Sequence, residues 1–221
     1  MKFKQIWQKP KHPGKVIPLL DNIFSAITHG VGFGLAVTAL VLLIIKAAHS
    51  GSALKVTAFT IYGASLVLLY LFSTLYHSLI YTKARKVFQI FDHSSIFLSI
   101  AGSYTPYSLV AIGGIKGWLL FGFIWLITIL GILYYILAKK KNNIFEVLLY
   151  IGMGWLVIFT APQLYATLGK TSFWLLVSGG ISYTVGAFFF SMRGVPLIHT
   201  VWHLFVLAGS TLMFFSVYIG I

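Results

Sequence analysis

Long apolar stretches separated by brief polar interruptions fill most of the chain, at roughly 22–45, 53–80, 91–112, 117–138, 144–165, 171–191 and 197–220. Each approaches the ~20 residues with which an α-helix crosses the hydrocarbon core of a bilayer. The interruptions carry loop residues: Ser50-Gly51 after the first stretch, Gly113-Gly114 after the third, Lys139-Lys140-Lys141 after the fourth and Gly194-Val195-Pro196 after the sixth. This pattern predicts an all-α bundle of seven transmembrane helices, a single domain over 22–221 preceded by a basic tail, 1–21. Neither an internal repeat nor a low-complexity segment breaks it.

Composition agrees with the pattern. Of 221 residues, 59% are hydrophobic and 9% charged, with a mean hydropathy of +0.94, too little polar surface to coat a soluble globule. Basic residues set the expected orientation, because Lys and Arg beside membrane helices stay in the cytoplasm. With the N-terminus inside, that side holds Lys2, Lys4, Lys9, Lys11, Lys15, Lys83, Arg85, Lys86, Lys139, Lys140, Lys141 and Arg193, against Lys46, Lys55, Lys116 and Lys170 outside. The asymmetry predicts a cytoplasmic N-terminus and an external C-terminus. The net charge of +13 is then topological, and the lysine-rich tail before Pro18 can lie against anionic headgroups. Charges scattered over membrane loops make no continuous face for nucleic acid. The first stretch is longer than the apolar region of a signal peptide and lacks a small-residue cleavage site, so it is expected to be retained.

The chain has no cysteine, so it has no disulfides or thiolate ligands, and a transition metal would be held by His and carboxylate. Candidate ligands fall at one depth. His77 lies six residues before Lys83, Asp92 six after Lys86 and His199 six after Arg193, about 9 Å of regular helix inward from each basic anchor. His199 and His203 are four apart, as are Ser73 and His77, which puts each pair on one helix face. Three neutral imidazoles around zinc leave a fourth tetrahedral position open to water, whose pKa the metal lowers toward ~7. Asp92 is placed to act as base or to orient a ligand, and Ser73 to orient the water or steady an oxyanion. The plainer alternative is that these residues are interhelical hydrogen-bond partners, worth about 0.6–2 kcal/mol each. An ionised Asp within a span is costly enough to need a partner or a function.

The chain resembles the hemolysin III family, the bacterial branch of the progestin and adipoQ receptor superfamily, over essentially its whole length. The resemblance rests on Ile27-Thr28-His29-Gly30, Ser73-Thr74-Leu75-Tyr76-His77, Asp92-His93-Ser94-Ser95-Ile96 with Ala101-Gly102-Ser103-Tyr104-Thr105-Pro106, and the span from His199 to His203. It implies seven helices in a bacterial inner (plasma) membrane, and zinc on His77, His199 and His203 with Asp92 and Ser73 supporting the bound water. It also implies hydrolysis of a lipid amide or acyl bond, by likeness to receptors and ceramidases, or a part in membrane homeostasis. Members often carry an acidic residue and an asparagine shortly before the first-span histidine. This chain offers Asp21, Asn22 and Ser25 there, so His29 receives no assigned role.

Three readings follow. The first is a zinc-dependent membrane hydrolase whose lipid substrate enters sideways between helices. The second is a non-catalytic, lipid-responsive receptor in which zinc only links helices. The third is a cytolytic protein, although the chain offers no ring of charge for a conducting pore. The remaining features read as structural. His93 is expected to pack away from Asp92, His12 and His49 to be solvated, and Glu146 to open the fifth span and pair with Lys141. Trp7, Trp118, Tyr134, Tyr135, Trp174 and Tyr218 are expected in the interfacial belt, with Trp202 walling the site. Gly30 and Gly34 are spaced for close helix approach, and Pro106, Pro162 and Pro196 mark kinks or helix boundaries.

Overall fold

The computed structural model describes residues 16–138, 142–192 and 194–221. The basic positions of the tail up to Lys15, together with Trp7, His12, Lys139, Lys140, Lys141 and Arg193, lie outside the described residues. Among those described, every regular element is helical. In chain order these are α1 (Val16–His49), α2 (Ala53–Ser78), α3 (Arg85–Pro106), α4 (Gly114–Leu137), α5 (Asn143–Trp155), α6 (Ala161–Ser191) and α7 (Ile198–Gly220). Among the described residues, six stretches are long and apolar enough to cross a membrane; one of them, Ile144–Ser191, takes in both α5 and α6.

Several helices outrun the apolar stretches that announced them. α1 is already helical at Val16, so residues 16–21 of the expected tail belong to it. α3 likewise begins at Arg85. Hydropathy marks the lipid-facing length of a helix, whereas backbone hydrogen bonding continues through polar residues at the interface.

The prolines and glycines mark where regular α geometry stops. Pro106 ends α3, and one π turn follows over Tyr107–Ile112, closed by the Gly113 N–H donating to the Ser108 carbonyl at 2.9 Å. Pro162 sits in the first turn of α6, after a 3-10 turn over Leu156–Thr160. Gly169, with φ 74° and ψ 168°, breaks α6 internally. Only glycine adopts such a backbone without strain.

α1 packs on α2 and α7, α2 on α3, α3 on α4, and α6 on α7. The largest buried cluster draws Leu43, Tyr62, Tyr70, Leu164, Val206 and Val217 from four of these helices. The outward sides of α1 and α4 expose Ile27, Val31 and Leu35, and Leu126, Ile129 and Leu133, apolar faces suited to lipid rather than water. Close approach of α1 to α2 runs through Gly32 and not Gly34: a Cβ at Gly32 would lie 2.5 Å from the Tyr70 ring, whereas one at Gly34 meets nothing within 4 Å. Tyr135 departs from the expected belt, being buried and stacked on His93 at 4.8 Å, while Trp118 and Trp174 are exposed.

Candidate metal centre

The i,i+4 spacing on α7 stacks His199 and His203 one turn apart, and α2 presents His77 to both. The His77 ring centroid lies 4.9 Å from that of His199 and 5.0 Å from that of His203, and the latter two are 4.6 Å apart. The rings are inclined to one another by 52°, 78° and 60°, as expected of imidazoles turned toward one centre. One nitrogen from each ring lies within 4.8 Å of the others. Tetrahedral zinc would set ligand nitrogens about 3.4 Å apart, so small side-chain adjustments suffice. The Nε2 atoms of His77 and His199 are buried without a hydrogen-bond partner, an arrangement that costs roughly 1–3 kcal/mol per group unless a ligand meets it. The residues therefore fit a metal ion.

Asp92 from α3 and Ser73 from α2 are both buried, and the Ser73 hydroxyl lies beside the Asp92 carboxyl group. With His199 and His203 they border one cavity of about 110 Å³, which Trp202 also lines. A second cavity, of about 280 Å³ and almost wholly apolar, shares Ser103, Tyr104, Gly154, Trp155, Gly180 and Met213 with the first. Polar groups thus cluster in the first cavity, and the two cavities share an apolar wall.

All five residues singled out in the sequence meet at this end of the bundle. His93 reaches it too: it stacks on Tyr135, and its Nδ1 lies 3.0 Å from the Gln89 carbonyl and 3.7 Å from Asp92 Oδ2. Glu146 is buried in the first turn of α5, while Lys141 lies outside the described residues.

α1 contributes residues to which sequence reasoning gave no role. Asn22 Oδ1 lies 3.0 Å from His77 Nδ1, and the Ser25 carbonyl 3.3 Å from His203 Nδ1. Asp21 Oδ1 accepts from Thr200, from its N–H at 3.0 Å and its hydroxyl at 2.7 Å. This caps the first turn of α7, which has no side-chain cap of its own. His29 stacks face to face on His203, with centroids 3.5 Å apart and planes 13° from parallel. The available signal was the run of polar residues at 21, 25 and 29 in an apolar helix, one turn apart and so on one face.

Residues 19–214 match the family described as haemolysin-III related. The chain belongs to the hemolysin III family. It is 49% identical over 197 residues to the Hemolysin-3 of Bacillus cereus, covering 89% of this chain and 90% of that one. It is 44% identical to the Hemolysin-3 homolog of Bacillus subtilis, covering 89% and 92%. The human Monocyte to macrophage differentiation factor is 30% identical over 171 residues, 74% of this chain and 70% of its own, which supports the link from hemolysin III proteins to the wider receptor superfamily. With six membrane-length apolar stretches among the described residues, this hemolysin III protein is an integral membrane protein, and a bacterial plasma membrane fits its Bacillus relatives.

Proposed function

We propose that the protein is a zinc-dependent hydrolase of a lipid amide or related acyl bond, serving membrane homeostasis. One observation carries the reading: three histidine nitrogens able to hold an ion cluster beside a cavity that Asp92 and Ser73 border, and that cavity shares lining residues with a second, apolar one. His77, His199 and His203 would hold the ion. Bound there, zinc would supply Lewis acidity that polarises the substrate carbonyl.

The chain's own residues account for the remaining steps. Asp92 accepts a proton from the attacking water as the water oxygen bonds to the substrate carbonyl carbon. The same carboxyl group delivers the proton to the leaving nitrogen as the carbon–nitrogen bond breaks, leaving a carboxylic acid and an amine. The Ser73 hydroxyl orients the water or donates to the developing oxyanion. Apolar walls around Trp155, Gly180 and Met213 take the acyl chain and exclude bulk water, and membrane lipid is the expected partner, entering sideways between helices.

We also read the chain as crossing the membrane seven times, with a cytoplasmic N-terminus and an external C-terminus. As one straight helix, the 48 residues of Ile144–Ser191 would extend ~72 Å, more than twice the ~30 Å hydrocarbon core. The break at Gly169 supports two crossings there. The twelve-to-four bias of basic residues across the two sides supports the orientation.

Zinc-replete protein in detergent or nanodiscs, offered a panel of lipid amides and esters, tests the activity by mass spectrometry of released fatty acid. Release that a chelator abolishes and zinc restores is the expected result. No release from any substrate by zinc-loaded protein would contradict catalysis and leave the ion as a link between α2 and α7.

A further inference from the structure

α1 supplies none of the three ligands, yet it touches both helices that do. We infer that α1 fixes the tautomer and direction of the ligand imidazoles, with Asn22 the side chain that sets metal affinity; this rests on the metal-centre reading above.

Donor and acceptor chemistry fixes the orientation of the Asn22 amide. Asn22 Nδ2 donates to the Pro18 carbonyl at 2.7 Å, and that carbonyl can only accept. The amide is therefore held with its oxygen toward His77, 3.0 Å from Nδ1. An amide oxygen also only accepts, so His77 Nδ1 carries the proton and Nε2 keeps the lone pair. The same logic applies at His203, whose Nδ1 faces the Ser25 backbone carbonyl at 3.3 Å. Both histidines are thus preset to bind metal through Nε2, and His77 Nε2 is a buried atom with no other partner.

Two further contacts make α1 a clamp on the helix that carries the other two ligands. Asp21 holds the Thr200 N–H, next in sequence to His199. His29 lies flat on the His203 ring and limits its rotation. A histidine ligand whose second nitrogen donates to a fixed acceptor has its ring orientation set and its basicity raised, and loss of such an acceptor typically costs about 10- to 100-fold in metal affinity.

The test is zinc affinity, measured by competition with a fluorescent chelator on the purified full chain, with helix content matched by circular dichroism. Asn22→Leu should weaken zinc binding about 10- to 100-fold, whereas Asn22→Asp, which keeps an acceptor oxygen, should bind within a few-fold of wild type or tighter. Equal affinity in wild type and Asn22→Leu would overturn this inference and leave the metal centre standing. Equal loss in Asn22→Leu and Asn22→Asp would also overturn it, because the residue would then serve packing alone. Wild type that takes up no zinc would overturn both readings. Should Asn22→Leu not fold, nitrogen NMR of histidine-labelled, zinc-loaded wild type decides: coordination of His77 and His203 through Nε2 with protonated Nδ1 is expected, and coordination of either through Nδ1 would overturn it.

Discussion

Asp92 is 7% exposed in a helix flanked by lipid-length apolar segments, where a carboxylate is expensive to keep without a function. It borders the same cavity as the histidines, and in the proposed reaction it handles the proton without holding the ion. Asp92→Asn should therefore retain zinc at the wild-type level while turnover of a responsive lipid falls by about 10²–10⁴-fold. Zinc lost along with activity would instead make Asp92 part of the metal's binding set. His77, His199, His203 and Ser73 were legible in the sequence because a spacing of four is a local fact; the equal distance from basic anchors brought in Asp92, although the helices it assumed are shorter, α2 ending at Ser78 and α7 starting at Ile198. Asn22 and Ser25 were not, since their partners lie 55 and 178 residues away and Ser25 meets its imidazole through a backbone carbonyl. The stacking of His29 on His203 equally depends on how α1 crosses α7, which no local pattern encodes.

Helix packing explains why one glycine pattern misled. Gly30 and Gly34 have the spacing of a close-contact motif, but Gly34 faces open space and the tight contact falls at Gly32. There the Tyr70 ring cannot easily retreat, because it is buried and its hydroxyl donates to Ser210 Oγ at 2.8 Å. Gly32→Ala should destabilise the α1–α2 contact by about 1–3 kcal/mol, the usual range for overpacking, and Gly34→Ala should be neutral or slightly stabilising through helix propensity. Thermal unfolding in detergent checks both; an unchanged or raised midpoint for Gly32→Ala would show that the helices re-space freely. Helix existence was readable from hydropathy, and Pro106 and Pro162 were readable as boundaries. The π turn after Pro106 and the break at Gly169 depend on backbone geometry that composition does not specify.

Across the whole molecule, an ion on His77, His199 and His203 would join α2 to α7, segments more than 100 residues apart in the chain. Such a link favours the folded state by mass action, by about 4 kcal/mol when free zinc is a thousandfold above its dissociation constant. Chelation should accordingly lower the thermal midpoint of wild type and leave that of His199→Ala/His203→Ala unchanged. Equal sensitivity of the two proteins would place the stabilising ion elsewhere. The membrane character of the fold follows from composition alone, because no arrangement of so apolar a chain could present a water-compatible surface. The meeting of its polar residues around one point required the three-dimensional packing of α1, α2, α3 and α7. The most direct measurement is elemental analysis of purified wild type beside His199→Ala/His203→Ala, matched for folding. Close to one zinc per chain, lost in the variant, is the expected result. Equal metal in both, or none in wild type after zinc repletion, would contradict the metal centre and return these histidines to helix packing.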